Sequence, residues 1–262
     1  MLENLRYFIL RILFLVYIIL CIIYIMIQSE TPDKKVVQRS NKNLDEIIKY
    51  SFYITFVFLT TTGIITFIEA MRTNEPYIRH LFNLETCISM IASFFYFSFI
   101  SRIDESDKKN QPIDWNEITL LRYSDWSITT PFMLLSLIMF LSYNVKIPIK
   151  LSIVFTIWLL NYIMLFIGFL GEIKYLDRLT ACFTGFIPFF IMIFIIYINF
   201  LKPKYNLPNM ILFFVYLTVW SLYGIVYLFS EEYKNIITNI LDLISKCLVG
   251  IGMWLYYIKV LR

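Results

Sequence analysis

Eight apolar runs, at roughly 5–27, 46–68, 78–101, 117–141, 147–170, 177–200, 207–229 and 235–259, dominate this chain of 262 residues. A hydrocarbon core ~30 Å thick is crossed by about twenty helical residues at 1.5 Å each, so every run is long enough to span a bilayer. The loops between the last seven, such as YNVK, GEIKYLDR, LKPKYN and SEEYKN, leave no room for a soluble domain. Backbone groups in lipid must be satisfied within the segment, which makes each run a helix. The fold expected is therefore an all-α membrane protein: a compact seven-helix bundle over residues 44–262. Composition agrees, with 59% hydrophobic and only 16% charged residues, where a soluble domain carries roughly a quarter charged. The net charge of +4 is small and scattered and gives no basis for a nucleic-acid partner.

The first run stands apart, followed by the polar stretch QSETPDKKVVQRSNKN at 28–43. A cleaved signal peptide would show a shorter apolar region and a small-residue cleavage site. Neither is visible, so residues 1–43 read as an additional N-terminal hydrophobic helix, an uncleaved anchor, plus a linker. Lys and Arg in the short loops set orientation. A cytoplasmic C-terminus puts Arg72, Arg79, Lys146, Lys150, Lys202, Lys204, Lys259 and Arg262 inside. The outer side then holds Arg102, Lys108, Lys109, Lys174, Arg178 and Lys234 with most of the loop acids, while the basic linker at 34–42 runs against the pattern. The four cysteines (Cys21, Cys87, Cys182 and Cys247) lie in apolar runs without metal-ligand spacing and read as small core residues.

Charges at membrane depth cost ~2.5–3.5 kcal/mol each on insertion scales, which marks them as functional candidates. Five stand out: Glu85, Arg122, Asp125, Asp242 and Lys246. Lys246, in LDLISKCLVGIG, is too deep to reach the interface, and Asp242 lies one turn earlier on the same face. Two readings fit: a helix-locking ion pair, or an amine condensed with an aldehyde as a Schiff base. RYSDWSITTP, at 122–131, and Ser136 beyond it put Arg122, Asp125, Thr129 and Ser136 on one helix face, a polar track inside the bundle. In WSLYGIVY, Trp220, Tyr223 and Tyr227 share a face, which is ordinary core packing or, beside a buried lysine, a pocket wall.

With RYxDWxxTTP in the third helix, DxxxK in the seventh, Trp220 and Tyr223 in the sixth, and Asn161, Met164 and Gly168 in NYIMLFIG, the chain resembles the microbial (type 1) rhodopsins over residues 45–260. The resemblance implies a rhodopsin bundle that binds all-trans retinal as a protonated Schiff base on Lys246, isomerised by light to 13-cis. It implies Asp125 as counterion and proton acceptor with Thr129 hydrogen-bonded to it, Asp242 as second counterion, and Arg122 as a gate. Trp126, Met133, Met164, Gly168, Trp220 and Tyr223 would line the chromophore. No metal is implied. The partners implied are protons, the lipid bilayer and further copies of the chain, since relatives form trimers and pentamers.

Departures from the family pattern narrow the function. Asp125 makes an inward chloride pump unsuitable, because those carry a neutral residue there. Ser136 stands where many proton pumps place a cytoplasmic carboxylate. Gly224 replaces the usual sixth-helix proline. Glu232 fits an extracellular proton-release role, yet Lys234 falls where its second glutamate belongs. Glu85 lies about eight residues inside its run, ~12 Å at helical rise, where apolar surroundings favour the neutral carboxyl that a donor needs. The alternative is a glutamate bonded to a neighbouring helix. A second-helix glutamate with an Asp–Thr–Ser motif resembles the rhodopsins of giant viruses, which would place the protein in a host-cell membrane. The function expected is a light-driven outward proton pump, not an enzyme; a light-gated cation channel and a sensory photoreceptor are the alternatives.

Overall fold

The computed structural model describes residues 34–109 and 111–261. The apolar run at 5–27 lies outside the described residues. The chain divides into two units, Met1–Glu46 and Ile47–Arg262. A single helix runs from Lys34 to Arg72, so residues expected as the end of a linker are helical.

Among the described residues, seven helices are long and apolar enough to cross a membrane: Glu46–Arg72, Pro76–Lys109, Trp115–Val145, Leu151–Glu172, Arg178–Leu201, Leu207–Val226 and Glu231–Ile258. They match the seven expected runs in order, and the described residues contain no strand. Polar side chains fix several starts. Asp114 accepts from the backbone N–H of Asn116 and Glu117, Asp177 from Thr180, and Asn206 from Asn209. Each satisfies donors that a helix N-terminus leaves free.

The third and seventh spans form the centre of the bundle. In their apolar windows 67% and 72% of residues are buried, against 17% in the fourth, which faces lipid along most of its length. This is why both charged motifs can exist: only these spans offer a face shielded from lipid on nearly every side.

Two irregularities bear on the site. Pro131 interrupts the third helix, and its carbonyl accepts a hydrogen bond from Trp158 Nε1 at 3.0 Å. The seventh span changes from α-helix over Glu231–Asp242 to a π-helix over Leu243–Leu248, then returns to α-helix from Val249. Lys246 sits inside that widened stretch, a geometry that often occurs at functional positions.

Candidate functional site

Lys246, Asp125, Asp242 and Arg122 meet in the interior, each no more than 5% exposed. Lys246 Nζ lies 2.8 Å from Asp125 Oδ2 and 3.5 Å from Asp242 Oδ2. Arg122 reaches Asp242 Oδ2 at 3.7 Å. Two cations and two anions thus neutralise one another, which is the condition for burying four charges at all. The nearer partner of Lys246 is on another helix. A regular α-helix would stack Asp242 directly below the lysine, but the i→i+5 turn rotates residue 246 toward the third span.

The two carboxylates differ sharply in how they are held. Asp242 Oδ1 accepts from Tyr223 at 2.5 Å, and Oδ2 accepts from Tyr96 at 2.7 Å. Asp125 has Lys246 on Oδ2, while its Oδ1 has no hydrogen-bond partner among the described residues. Thr129 does not fill that gap. Its hydroxyl donates to the main-chain carbonyl of Asp125 at 2.9 Å, the usual i−4 bond of a helical threonine, so the expected link to the carboxylate is corrected to one with the backbone.

Arg122 is fixed from several sides. Its Nη2 donates to Asn235 Oδ1 and Asn239 Oδ1, both at 2.9 Å. The rings of Phe52, Tyr96 and Phe99 surround it, with centroids 5.0–5.8 Å from Cζ, close enough for cation–π attraction. Tyr96, Asn235 and Asn239 are absent from the sequence-based site. The signal was present: in NIITNILDLISK, residues 235, 239, 242 and 246 recur every three or four positions on one face.

Beside the lysine lies a cavity of about 150 Å³, lined by Lys246, Trp126, Met133, Met164, Gly168, Trp220 and Tyr223 among others. One buried water needs only ~10–15 Å³ by the same measure, so the space suits an extended molecule. All six residues expected as pocket walls do line it. Gly168 is dictated by space, since a β-carbon there would stand 2.8 Å from the Tyr123 hydroxyl.

Glu85 is buried and receives a short hydrogen bond from Ser136 Oγ. It lies nine residues into a helix that starts at Pro76, toward the end of the bundle carrying the C-terminus. The opposite end holds a four-charge cluster. Lys234 Nζ is 3.0 Å from Glu172 Oε2 and 2.8 Å from Glu231 Oε2, while Arg178 Nη2 is 2.9 Å from Glu172 and 2.7 Å from Glu231. Glu232 makes none of these contacts. One residue along a helix is a rotation of about 100°, so Glu231 joins the cluster and its neighbour Glu232, the residue expected in proton release, lies outside it.

A buried lysine set between two carboxylates and opening onto an apolar cavity, in a seven-helix membrane bundle, defines the retinal-protein class of photoreceptors and ion transporters. The bacteriorhodopsin-like protein family matches residues 46–260; the chain belongs to this family of microbial rhodopsins, whose members bind retinal. The crystal structure of viral rhodopsin OLPVRII is 41% identical, with a TM-score of 0.75, and the match covers 81% of this chain and 98% of that one. A blue light-absorbing proteorhodopsin from Med12 shares the fold at 18% identity and a TM-score of 0.66, covering 81% and 97% of the two chains. The proton pumping rhodopsin AR2 from the marine alga Acetabularia acetabulum does so at 18% and 0.66, covering 82% and 96%. A search of curated proteins finds no match.

Proposed function

We propose that this chain is a light-driven outward proton pump carrying all-trans retinal on Lys246. The observation that carries the proposal is the 2.8 Å contact between the Asp125 carboxylate and Lys246 Nζ, an amine that borders the apolar cavity. The residues fit the cofactor: the amine borders an apolar cavity walled by two tryptophans, two methionines and Tyr223. When bound, retinal supplies light absorption and a light-driven change of shape at the Lys246 nitrogen.

The chain's own groups then divide the proton work. Asp125 takes a proton from Lys246 Nζ, because it is the nearer carboxylate, at 2.8 Å against 3.5 Å for Asp242. Asp242 keeps its charge, held by two tyrosine hydroxyls and Arg122, and so acts as the fixed counterion. Arg122, anchored by Asn235 and Asn239, lies beside Asp242 and lines the same cavity as Glu172 and Lys234. Glu85 supplies the replacement proton from the opposite side. The excess of Lys and Arg in the loops at that end supports reading it as the cytoplasmic side, which gives transport an outward direction.

A ring layer closes the interior beyond Glu85. Phe82 packs edge-on against Tyr257 at 6.2 Å, and Tyr257 against Phe140 at 5.6 Å. Phe82 precedes Glu85 by three residues and Phe140 follows Ser136 by four, so the layer sits about one turn outside the donor. Illuminated cells in unbuffered medium are expected to acidify it, with the signal abolished by an uncoupler. Under voltage clamp the current keeps its sign across a wide voltage range, whereas reversal with the ion gradient would establish a channel. Glu85→Gln is expected to slow proton return to Lys246 by roughly a hundredfold in flash photolysis; a rate equal to the parent chain's removes Glu85 from the mechanism.

A further inference from the structure

The Glu85 carboxyl rests in a seat built by several helices, and one member of that seat is a side chain that is missing. Ser136 on the third span donates to Glu85 Oε1. On the seventh span, a β-carbon at Gly250 would stand 3.1 Å from Glu85 Oε2 and 3.4 Å from Thr62 Cγ2. Gly250 does not adopt positive φ, so backbone conformation does not demand a glycine. Glycine is among the poorest helix formers, and its presence mid-helix is explained here by the space it leaves for the carboxyl.

The place of that space matters. Gly250 follows Lys246 by four residues, one turn along the same face. Glu85 Oε2 therefore meets the seventh span about one turn beyond Lys246, on its C-terminal side. Thr62 also neighbours Cys247, next to the lysine. The hydroxyl of Ser89, four residues after Glu85, is buried and has no hydrogen-bond partner among the described residues.

We propose that Gly250 is a positioning residue for proton donation, letting Glu85 keep Oε1 on Ser136 while Oε2 faces the Lys246 side of the seventh span. This rests on Glu85 being the donor. In the step, the O–H bond at Oε2 breaks, an N–H bond forms at Lys246 Nζ, and the Ser136 hydrogen bond to Oε1 stabilises the carboxylate left behind.

The test is Gly250→Ala in the full chain loaded with retinal, alone and with Thr62→Ser. The Glu85 carboxyl stretch is read by light-minus-dark infrared difference, assigned by its loss in Glu85→Gln, and the proton-return rate by flash photolysis. The single variant is expected to shift that band and slow proton return by roughly tenfold or more, the scale of a small misplacement of a reacting group, with the dark absorption maximum unchanged. Thr62→Ser, which removes Cγ2 from the crowded point, should restore part of the rate and keep the variant foldable. A band and rate equal to the parent chain's overturn the proposal, as does a slowed rate with an unmoved band. If Glu85→Gln slows proton return and Gly250→Ala does not, the seat alone fails; if Glu85→Gln leaves the rate unchanged, the donor reading fails and takes the proposal with it.

Discussion

Lys246→Ala, expressed with retinal present, is expected to give a colourless protein. Of the two lysines that line the cavity, Lys246 is the one beside Asp125 and Asp242, while Lys234 is held by Glu172 and Glu231, so no amine remains at that place for covalent attachment. The variant also removes one of two buried cations that offset two buried carboxylates. Breaking such a cluster from one side costs about 3–5 kcal/mol, and a colourless sample could then reflect misfolding. Lys246→Arg separates the two causes. It keeps a cation for Asp125 and Asp242 but cannot condense with an aldehyde, so it should fold and still lack a visible band. Absorption spectra of both purified variants decide the matter: a visible band that persists in Lys246→Ala contradicts retinal attachment at this residue.

The membrane makes much of this architecture readable in advance. Span length is fixed by bilayer thickness, so apolar runs alone set the number and order of the seven helices. Arg122, Asp125, Asp242 and Lys246 were visible because a charge in an apolar run has few uses other than pairing or chemistry. What escaped was set by partners distant in sequence. Tyr96 sits in FFYFSF and looks like one more core aromatic; only folding brings its hydroxyl to Asp242, 146 residues away. Asn235 and Asn239 acquire their purpose from Arg122 on another helix. The π-turn over Leu243–Leu248 has no simple sequence signature, yet it turns Lys246 from its i−4 neighbour toward Asp125. Thr129 shows the same limit at a smaller scale, since a helical threonine can bond a side chain or its own backbone and spacing does not choose between them. Glu231 and Glu232 are adjacent acids, and a single helical step decides which one joins the ion-pair cluster.

That asymmetry between two similar carboxylates gives the last prediction its force. Asp125→Asn is expected to leave a coloured pigment and reduce light-driven proton transport by at least roughly a hundredfold, the scale of removing a proton-accepting group. Asparagine matches the shape of aspartate, and its amide oxygen can still accept from Lys246 Nζ. Asp242 remains 3.5 Å from that nitrogen as a counter-charge, so the cation is not stranded and the chromophore site survives. What disappears is the group able to take the proton. Asp242 cannot substitute, because a proton arriving on it would have to displace hydrogen bonds from Tyr96 and Tyr223 and weaken the charge pair with Arg122. The companion variant Asp242→Asn therefore divides the roles: it should change colour and folding yield, since it leaves Arg122 without its carboxylate partner, while keeping a measurable part of transport through Asp125. Light-induced pH change per unit of pigment measures both. Near-native transport in Asp125→Asn, or a larger transport loss in Asp242→Asn than in Asp125→Asn, would reverse the assignment of acceptor and fixed counterion.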